Sequence, residues 1–201
     1  MDHAERNFIS AYLSESETVL SRFAQDPLTV DVLQDFAERI VQALESGGKV
    51  MIAGNGGSAA DAQHIAGEFL SRLFFDRAPL PAIALTTDTS VLTAVGNDYG
   101  YEEVFSRQIK GLARKGDALL AISTSGTSKN IVTALQVARE RGVTTLGFCG
   151  ADPRTMDHLC DVVLRAPSAK TAIIQQIHIV AAHIVCGLVE QKLFRTKGSP
   201  A

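Results

Sequence analysis

No excess of positive charge runs through this 201-residue sequence: 19 lysines and arginines stand against 22 aspartates and glutamates, a formal net charge of −3. Bulk attraction to a nucleic-acid backbone is therefore not expected. Long hydrophobic runs are missing too. The longest near the C-terminus, Ile179 to Val189, is broken by His183 and reads as too short to span a bilayer. The first residues, Met1-Asp2-His3-Ala4-Glu5, lack the basic-then-apolar order of a secretory signal. Cysteine is scarce. Cys149, Cys160 and Cys186 are odd in number and carry no paired metal spacing, so reduced, mostly buried thiols in a cytoplasmic protein are expected. There is no internal repeat and no low-complexity stretch. Only residues 195–201 read as a flexible tail.

What remains is a chain rich enough in apolar residues (46%) to bury a full core, with 20% charged residues, of a length that suits one domain or at most two. Phe8, Ile9, Tyr12, Leu13, Val19, Leu20 and Phe23 recur at helical spacing, and Asp26-Pro27 ends that helix. A second helix carries Val32, Leu33, Phe36, Ile40, Val41 and Leu44 and stops at Gly47-Gly48. The period then changes. Lys49–Gly54, Pro81–Thr87, Asp117–Ser123, Val143–Phe148 and Asp161–Arg165 are short runs, apolar on both faces, which suits parallel strands covered on two sides. Helical patterns lie between them at Ala59–Phe75, Thr89–Val95, Glu102–Arg114 and Asn130–Arg141, and a last helix spans about Ala169–Leu193. This alternation predicts a three-layer αβα sandwich with a five-stranded parallel sheet, plus the N-terminal helices of residues 1–48. Those two helices carry wide apolar faces, which predicts that they pack on the core and on other subunits.

Ligands of such sheets sit beyond the carboxyl ends of the strands, which points to three loops. In Gly54-Asn55-Gly56-Gly57-Ser58, adjacent glycines leave backbone N–H groups free to converge on an oxygen, and Ser58 is placed to cap the helix that follows. A dinucleotide fingerprint is the rival reading, but no acidic residue ends a second strand about twenty residues on. In Ser123-Thr124-Ser125-Gly126-Thr127-Ser128, five hydroxyls precede a helix. One cap needs one hydroxyl; five, with the helix N-terminus, suit the several acceptor oxygens of a phosphate. No Gly-x-x-x-x-Gly-Lys-Ser/Thr motif is present, which leaves P-loop nucleotide hydrolysis unsupported. In the middle loop, Asp88 reads as a helix cap, and Gly96-Asn97-Asp98-Tyr99-Gly100 reads as a turn with two hydrogen-bonding side chains.

Two helices carry the chemistry. His64 and Glu68 are four residues apart on one helix face, with Arg72 next in line. The last helix holds Thr171, Gln175, Gln176, His178 and His183 among isoleucines, valines and alanines, and buried polar groups there require partners. Gln175 and His183 lie two turns apart and about 80° round, so both can border one cavity, while His178 lies on another azimuth and suits a structural hydrogen bond. Two imidazoles, a carboxylate and an amide could form a tetrahedral metal site if the two helices meet.

The run from Gly54 through Glu68 resembles the phosphoheptose isomerases of the sugar isomerase (SIS) superfamily. So do Gly96–Tyr101, Ile122–Gly126, and Gln175 with His183. The resemblance spans nearly the whole chain, to Phe194. It implies an SIS domain over 49–194 and a homotetramer with active sites at subunit interfaces. It implies conversion of D-sedoheptulose 7-phosphate to D-glycero-D-manno-heptose 7-phosphate on the way to ADP-heptose and bacterial surface polysaccharide such as lipopolysaccharide. By position it implies one zinc ion per active site, held by His64, Glu68, Gln175 and His183. Phosphate would be bound by Ser123, Thr124, Ser125 and Ser128, and sugar by Asn55, Gly56, Gly57, Asn97 and Asp98, with Ser58, Glu68, Arg72 and Gln175 also substrate-binding. At position 176 this chain has Gln where the family commonly has Glu. Aldose–ketose isomerisation needs a base, an acid and oxyanion stabilisation, which assigns carbon-proton removal to Glu68 and the second proton to His183. Three other functions compete: a non-catalytic SIS adaptor that binds a replication initiator, a sugar-phosphate sensor, and a dinucleotide enzyme. Retention of His64, Glu68, Gln175 and His183 together favours the isomerase over the adaptor. The sensor would need a helix-turn-helix or basic extension, which is not seen.

Overall fold

The computed structural model describes residues 2–195. Of the expected flexible tail only Arg195 falls within that range; residues 196–201 lie outside the described residues.

The chain begins with two helices. α1 (His3–Gln25) starts on a capping box in which Asp2 accepts from Ala4 N–H while Glu5 reaches back to the Asp2 N–H. Asp26 then ends α1 and caps α2 (Pro27–Glu45), accepting from Leu28 N–H at 2.9 Å, with Pro27 pre-set for the first helical turn. After Gly47-Gly48 the chain alternates: β1 (Val50–Gly54), α3 (Gly57–Leu70), β2 (Ala82–Ala84), α4 (Thr89–Tyr99), a 3₁₀ turn at Tyr101–Glu103 and α5 (Ser106–Leu112). β3 (Ala118–Ser123), α6 (Lys129–Glu140), β4 (Thr144–Cys149), a second 3₁₀ turn (Arg154–His158), β5 (Val162–Arg165) and α7 (Thr171–Phe194) complete it.

All four strand pairings are parallel, in the order β2-β1-β3-β4-β5. Strand periodicity divides the core in two. Val50, Ile52, Leu120, Ile122, Leu146 and Phe148 face one layer, built on α2, α3 and α7 around Phe36, Ile40, Phe69 and Ile177. Met51, Ala53, Leu119 and Ala121 face the other, built on α5 and α6 around Phe105, Ile109, Ile131 and Leu135. The expected three-layer sandwich is therefore present, and α2 belongs to its core.

Several boundaries differ from expectation. α3 stops at Leu70 and not at Phe75, because the backbone beyond it is captured by buried side chains. Arg77 takes the carbonyls of Glu68, Phe69 and Ser71, and Glu190 takes the N–H groups of Leu73 and Phe74. β2 has three residues where seven were expected. As the sheet edge it pairs only with β1 and leaves Ile83 exposed, so it is not covered on both faces. Gly96–Tyr99 is the last turn of α4 and not a loop; the turn residues there continue the helix until Gly100 enters the left-handed region at φ 92°. The expected helix Glu102–Arg114 is broken, since the Ser106 hydroxyl takes the Glu103 carbonyl between the 3₁₀ turn and α5. The last helix also corrects the bilayer reading. α7 has 24 residues and is by length and composition apolar enough to cross a membrane, because the helix runs through His183. More than half of its most apolar 18-residue stretch is buried, against α2, α3 and the sheet.

Candidate active site

Sheet order decides which loops meet. β1 and β3 are adjacent, so the loops leaving their carboxyl ends, residues 54–58 and 123–128, lie side by side.

The glycine loop is shaped by close approach. A Cβ on Gly54 would sit 2.4 Å from the Ser58 carbonyl oxygen, and one on Gly57 would sit 2.3 Å from Nε2 of Gln175. At Gly54 the clash is with backbone, so only glycine fits; at Gly57 a Cβ would push the Gln175 side chain away, and its absence lets the Gln175 amide of α7 rest on the start of α3. Ser58 does not cap α3. The helix begins one residue earlier, at Gly57, which leaves Ser58 buried inside its first turn. Asn55 pairs with a residue that the sequence reading missed. Its amide and that of Asn130, buried in the first turn of α6, bond reciprocally, and the Tyr101 hydroxyl donates to Asn55 Oδ1 at 3.2 Å. An asparagine just inside a helix that starts on a serine loop, on the core-facing side, was the available signal for Asn130.

In the serine loop the hydroxyls turn towards each other. Ser128 occupies the N-cap position of α6, yet its hydroxyl makes no cap; it lies 3.0 Å from Ser123 Oγ. Ser125 Oγ lies 3.4 Å from Ser123 Oγ and accepts from the Thr127 N–H and hydroxyl. Thr124 is half-buried on the same loop. The loop ends at the N-terminus of α6, which favours an anion. Asp88 caps α4 as expected, accepting from Val91 N–H at 3.0 Å. Asn97 and Asp98 bond each other on the exposed last turn of α4, just before Tyr101.

The two chemistry-bearing helices do meet. His64 Nε2 of α3 lies 2.9 Å from His183 Nε2 of α7 and 3.2 Å from Glu68 Oε1. The two rings are edge-on, their centroids 5.1 Å apart. The three ligand atoms lie within 4.8 Å of one another, the one such His, Cys, Asp or Glu group among the described residues. Around a tetrahedral zinc with bonds near 2.05 Å, ligand atoms are about 3.3 Å apart, so two imidazole nitrogens and a carboxylate oxygen at these separations fit that ion. Gln175, the expected fourth ligand, is placed by its contact with Gly57. Arg72 does not extend the His64–Glu68 stripe. Because α3 ends at Leu70, Arg72 stands exposed in the irregular segment beyond it.

Neighbouring polar groups sort themselves from the cluster. Asp61, one turn before His64, has a buried Oδ2 without a partner; burial pushes its carboxyl up, against the pull of the His64 charge. His178 makes the expected structural bond, donating from Nε2 to the Cys149 carbonyl at 3.0 Å beside the Phe148 ring. Burial holds its imidazole down at about 4, opposed by that bond. Gln176 donates from Nε2 to the Tyr12 hydroxyl of α1 at 3.1 Å.

Residues 11–150 match the family model described as "SIS domain". The chain is 51% identical over 194 residues to a phosphoheptose isomerase from Burkholderia pseudomallei, covering 96% of this chain and 98% of that protein. A solved phosphoheptose isomerase from Neisseria gonorrhoeae superposes with TM-score 0.86 at 40% identity, over 92% of this chain and 98% of that one. Another from Francisella tularensis gives 0.88 at 34% identity, over 95% and 100%.

Proposed function

This chain belongs to the phosphoheptose isomerases of the SIS-domain family, and from that premise we propose that it converts D-sedoheptulose 7-phosphate to D-glycero-D-manno-heptose 7-phosphate at the His64, Glu68 and His183 cluster. The convergence of these three side chains from α3 and α7 is the observation that carries the reading.

The Glu68 carboxylate takes the C1 proton of the ketose, and the released electron pair forms the C1–C2 double bond of an enediolate as the carbonyl pair moves onto O2. His183 passes the O1 proton to O2. Glu68 then returns its proton to C2, and C1 is left as the aldehyde, so atoms and charge balance. The serine loop, with Ser123, Thr124, Ser125 and Ser128, grips the phosphate and holds the far end of the seven-carbon chain still. Asn55, Gly56, Gly57, Asn97, Asp98 and Gln175 take sugar hydroxyls, with Ser58 and Arg72 as further substrate contacts. His64, Glu68 and His183, with Gln175 as fourth ligand, would hold one zinc ion, which when bound supplies carbonyl polarisation. The product is a heptose phosphate suited to surface-polysaccharide biosynthesis.

The same reading includes a homotetramer in the cytoplasm. Exposed Phe8, Leu13, Leu28 and Val30 on α1 and α2 support subunit contacts, and three free cysteines fit a reducing compartment. The adaptor alternative is not favoured, because the relatives matched across 96–97% of this chain are phosphoheptose isomerases.

The test is an isomerase assay on sedoheptulose 7-phosphate, with and without added zinc, for wild type, Glu68→Gln and His183→Gln. Each variant should lose about 10²–10⁴-fold in kcat while keeping its fold. Near-native turnover in either variant removes the role assigned to that residue.

A further inference from the structure

Beside the reacting cluster, the junction of α3 and α7 holds a buried charged pair. Arg77 and Glu190 are 2% and 1% exposed, and Arg77 Nε lies 3.0 Å from Glu190 Oε1. A buried ion pair persists only where its other polar positions are filled, and here they are. The Glu190 carboxylate accepts from the Leu73 and Phe74 N–H groups at 2.8 and 3.0 Å. The Arg77 guanidinium donates to the carbonyls of Glu68 at 2.7 Å, Phe69 at 2.6 Å, Ser71 at 3.0 Å and Ala78 at 3.1 Å. It therefore closes the C-terminus of α3, where a cation also meets the negative end of the helix dipole.

The place of these contacts matters. Glu68 belongs to that last turn of α3, and its own carbonyl is one of those held. Glu190 lies on α7 seven residues beyond His183, on the same side of the helix. Between them Gly187 receives the Phe74 ring; a Cβ there would sit 2.4 Å from it. Residues 71–78 thus form a strap that ties the α3 turn bearing Glu68 to the α7 face bearing His183.

We infer that Arg77 and Glu190 are positioning residues for the active site: through the strap they set the distance between Glu68 and His183. A merely structural ion pair would cost stability when broken and leave the site unchanged. Asp117 supplies that comparison. It is equally buried, accepts from the Lys49 ammonium and from the Lys49 and Arg114 N–H groups, and lies at the other end of the sheet, just before β3.

The inference rests on the reading of His64, Glu68 and His183 as the reacting centre. Its experiment uses the full chain as wild type, Arg77→Lys, Glu190→Gln, Phe74→Ala and the control Asp117→Asn. Lysine cannot span the four carbonyls, and Phe74→Ala loosens the strap at an exposed ring while sparing the ion pair. Thermal midpoint, Co²⁺ affinity by visible absorption, kcat and KM are measured for each. Arg77→Lys and Glu190→Gln should weaken Co²⁺ binding and lower kcat by about 10–100-fold, with KM nearly unchanged. Phe74→Ala should lower both by at least about threefold, which keeps the test alive if the charged-pair variants do not fold. Asp117→Asn should lose thermal stability while Co²⁺ affinity and kcat stay close to wild type. If the strap variants behave like Asp117→Asn, the pair is structural and the inference falls. Wild type that binds Co²⁺ but does not isomerise overturns the functional reading alone, and the Co²⁺ arm still decides positioning. Wild type that does neither overturns both.

Discussion

Asn55 and Asn130 hold each other's carboxamides from 75 residues apart, Nδ2 of each donating to Oδ1 of the other at 2.9 and 2.8 Å. With Tyr101 also donating to it, Asn55 Oδ1 has both acceptor positions filled. One Nδ2 proton remains, so Asn55 meets a substrate as a donor. The pair also ties the glycine loop to the helix that follows the serine loop. Asn130→Ala should therefore release Asn55 and lower kcat/KM by roughly 5–30-fold, the equivalent of about 1–2 kcal/mol for an unsatisfied buried group. Tyr101→Phe should cost less. Steady-state kinetics on the sugar phosphate decide it, and wild-type kcat/KM in Asn130→Ala rejects the donor assignment.

The serine loop gives a prediction of different form. Ser125 is exposed and Ser128 half-buried, and each has a hydroxyl on the shared cluster with Ser123. Alanine at either should raise KM by about 10-fold, the worth of a hydrogen bond to a charged group, and should weaken inhibition by inorganic phosphate in parallel. Effects on kcat should be smaller, since the phosphate is remote from the reacting carbons. Equal phosphate inhibition in wild type and variants would mean that the anion is held elsewhere.

Acid stability should depend on His178. Its folded imidazole is held at about 4, well below the unfolded value of 6.5, so the unfolded chain binds the extra proton. This residue's contribution is full above pH 6.5 and is lost as pH falls from 6.5 to 4, worth at most about 3 kcal/mol. His178→Leu gives up the bond to the Cys149 carbonyl and should be less stable at pH 7.5, by about 1–3 kcal/mol. Its stability should also fall less steeply between pH 6.5 and 4. Urea unfolding across that range is the measurement, and parallel slopes for both proteins count against the assignment.

The α1–α2 face predicts assembly. Phe8 and Leu13 are 71% and 63% exposed, and a groove lined by Leu20, Phe23, Val30, Leu33 and Ile184 runs between α1, α2 and α7. Sedimentation should give a multiple of the 21.5 kDa chain, and Leu13→Glu with Ile184→Glu should shift it to smaller species. An unchanged sedimentation coefficient in the double variant places the interface on another face.

Much of this molecule was legible one segment at a time. The apolar runs that become β1, β3, β4 and β5, the Asp26-Pro27 boundary and the Asp88 cap depend on neighbours within a few residues. The side-chain period and the cap chemistry therefore state them directly. The His64–Glu68 spacing was readable for the same reason, since four residues on a helix share one face. Legibility failed where distant groups compete for a local backbone. Helical periodicity continues past Leu70, but Arg77 and Glu190 take the carbonyls and N–H groups that another turn would use. Turn residues at Gly96–Tyr99 had no tertiary signal to reveal that they complete α4.

The sequence by itself determined a parallel α/β sandwich, the loops on which a phosphorylated ligand could sit, and the residue types available for proton transfer. These follow from short-range sterics and from which side chains avoid water. The tertiary structure alone decided that β1 lies beside β3, that α3 crosses α7 with His64 against His183, and that Asn55 meets Asn130. No periodicity encodes a partner 75 or 119 residues away. That choice is made by the packing of whole helices on a twisted sheet, where each buried polar group must find its counterpart once water is gone.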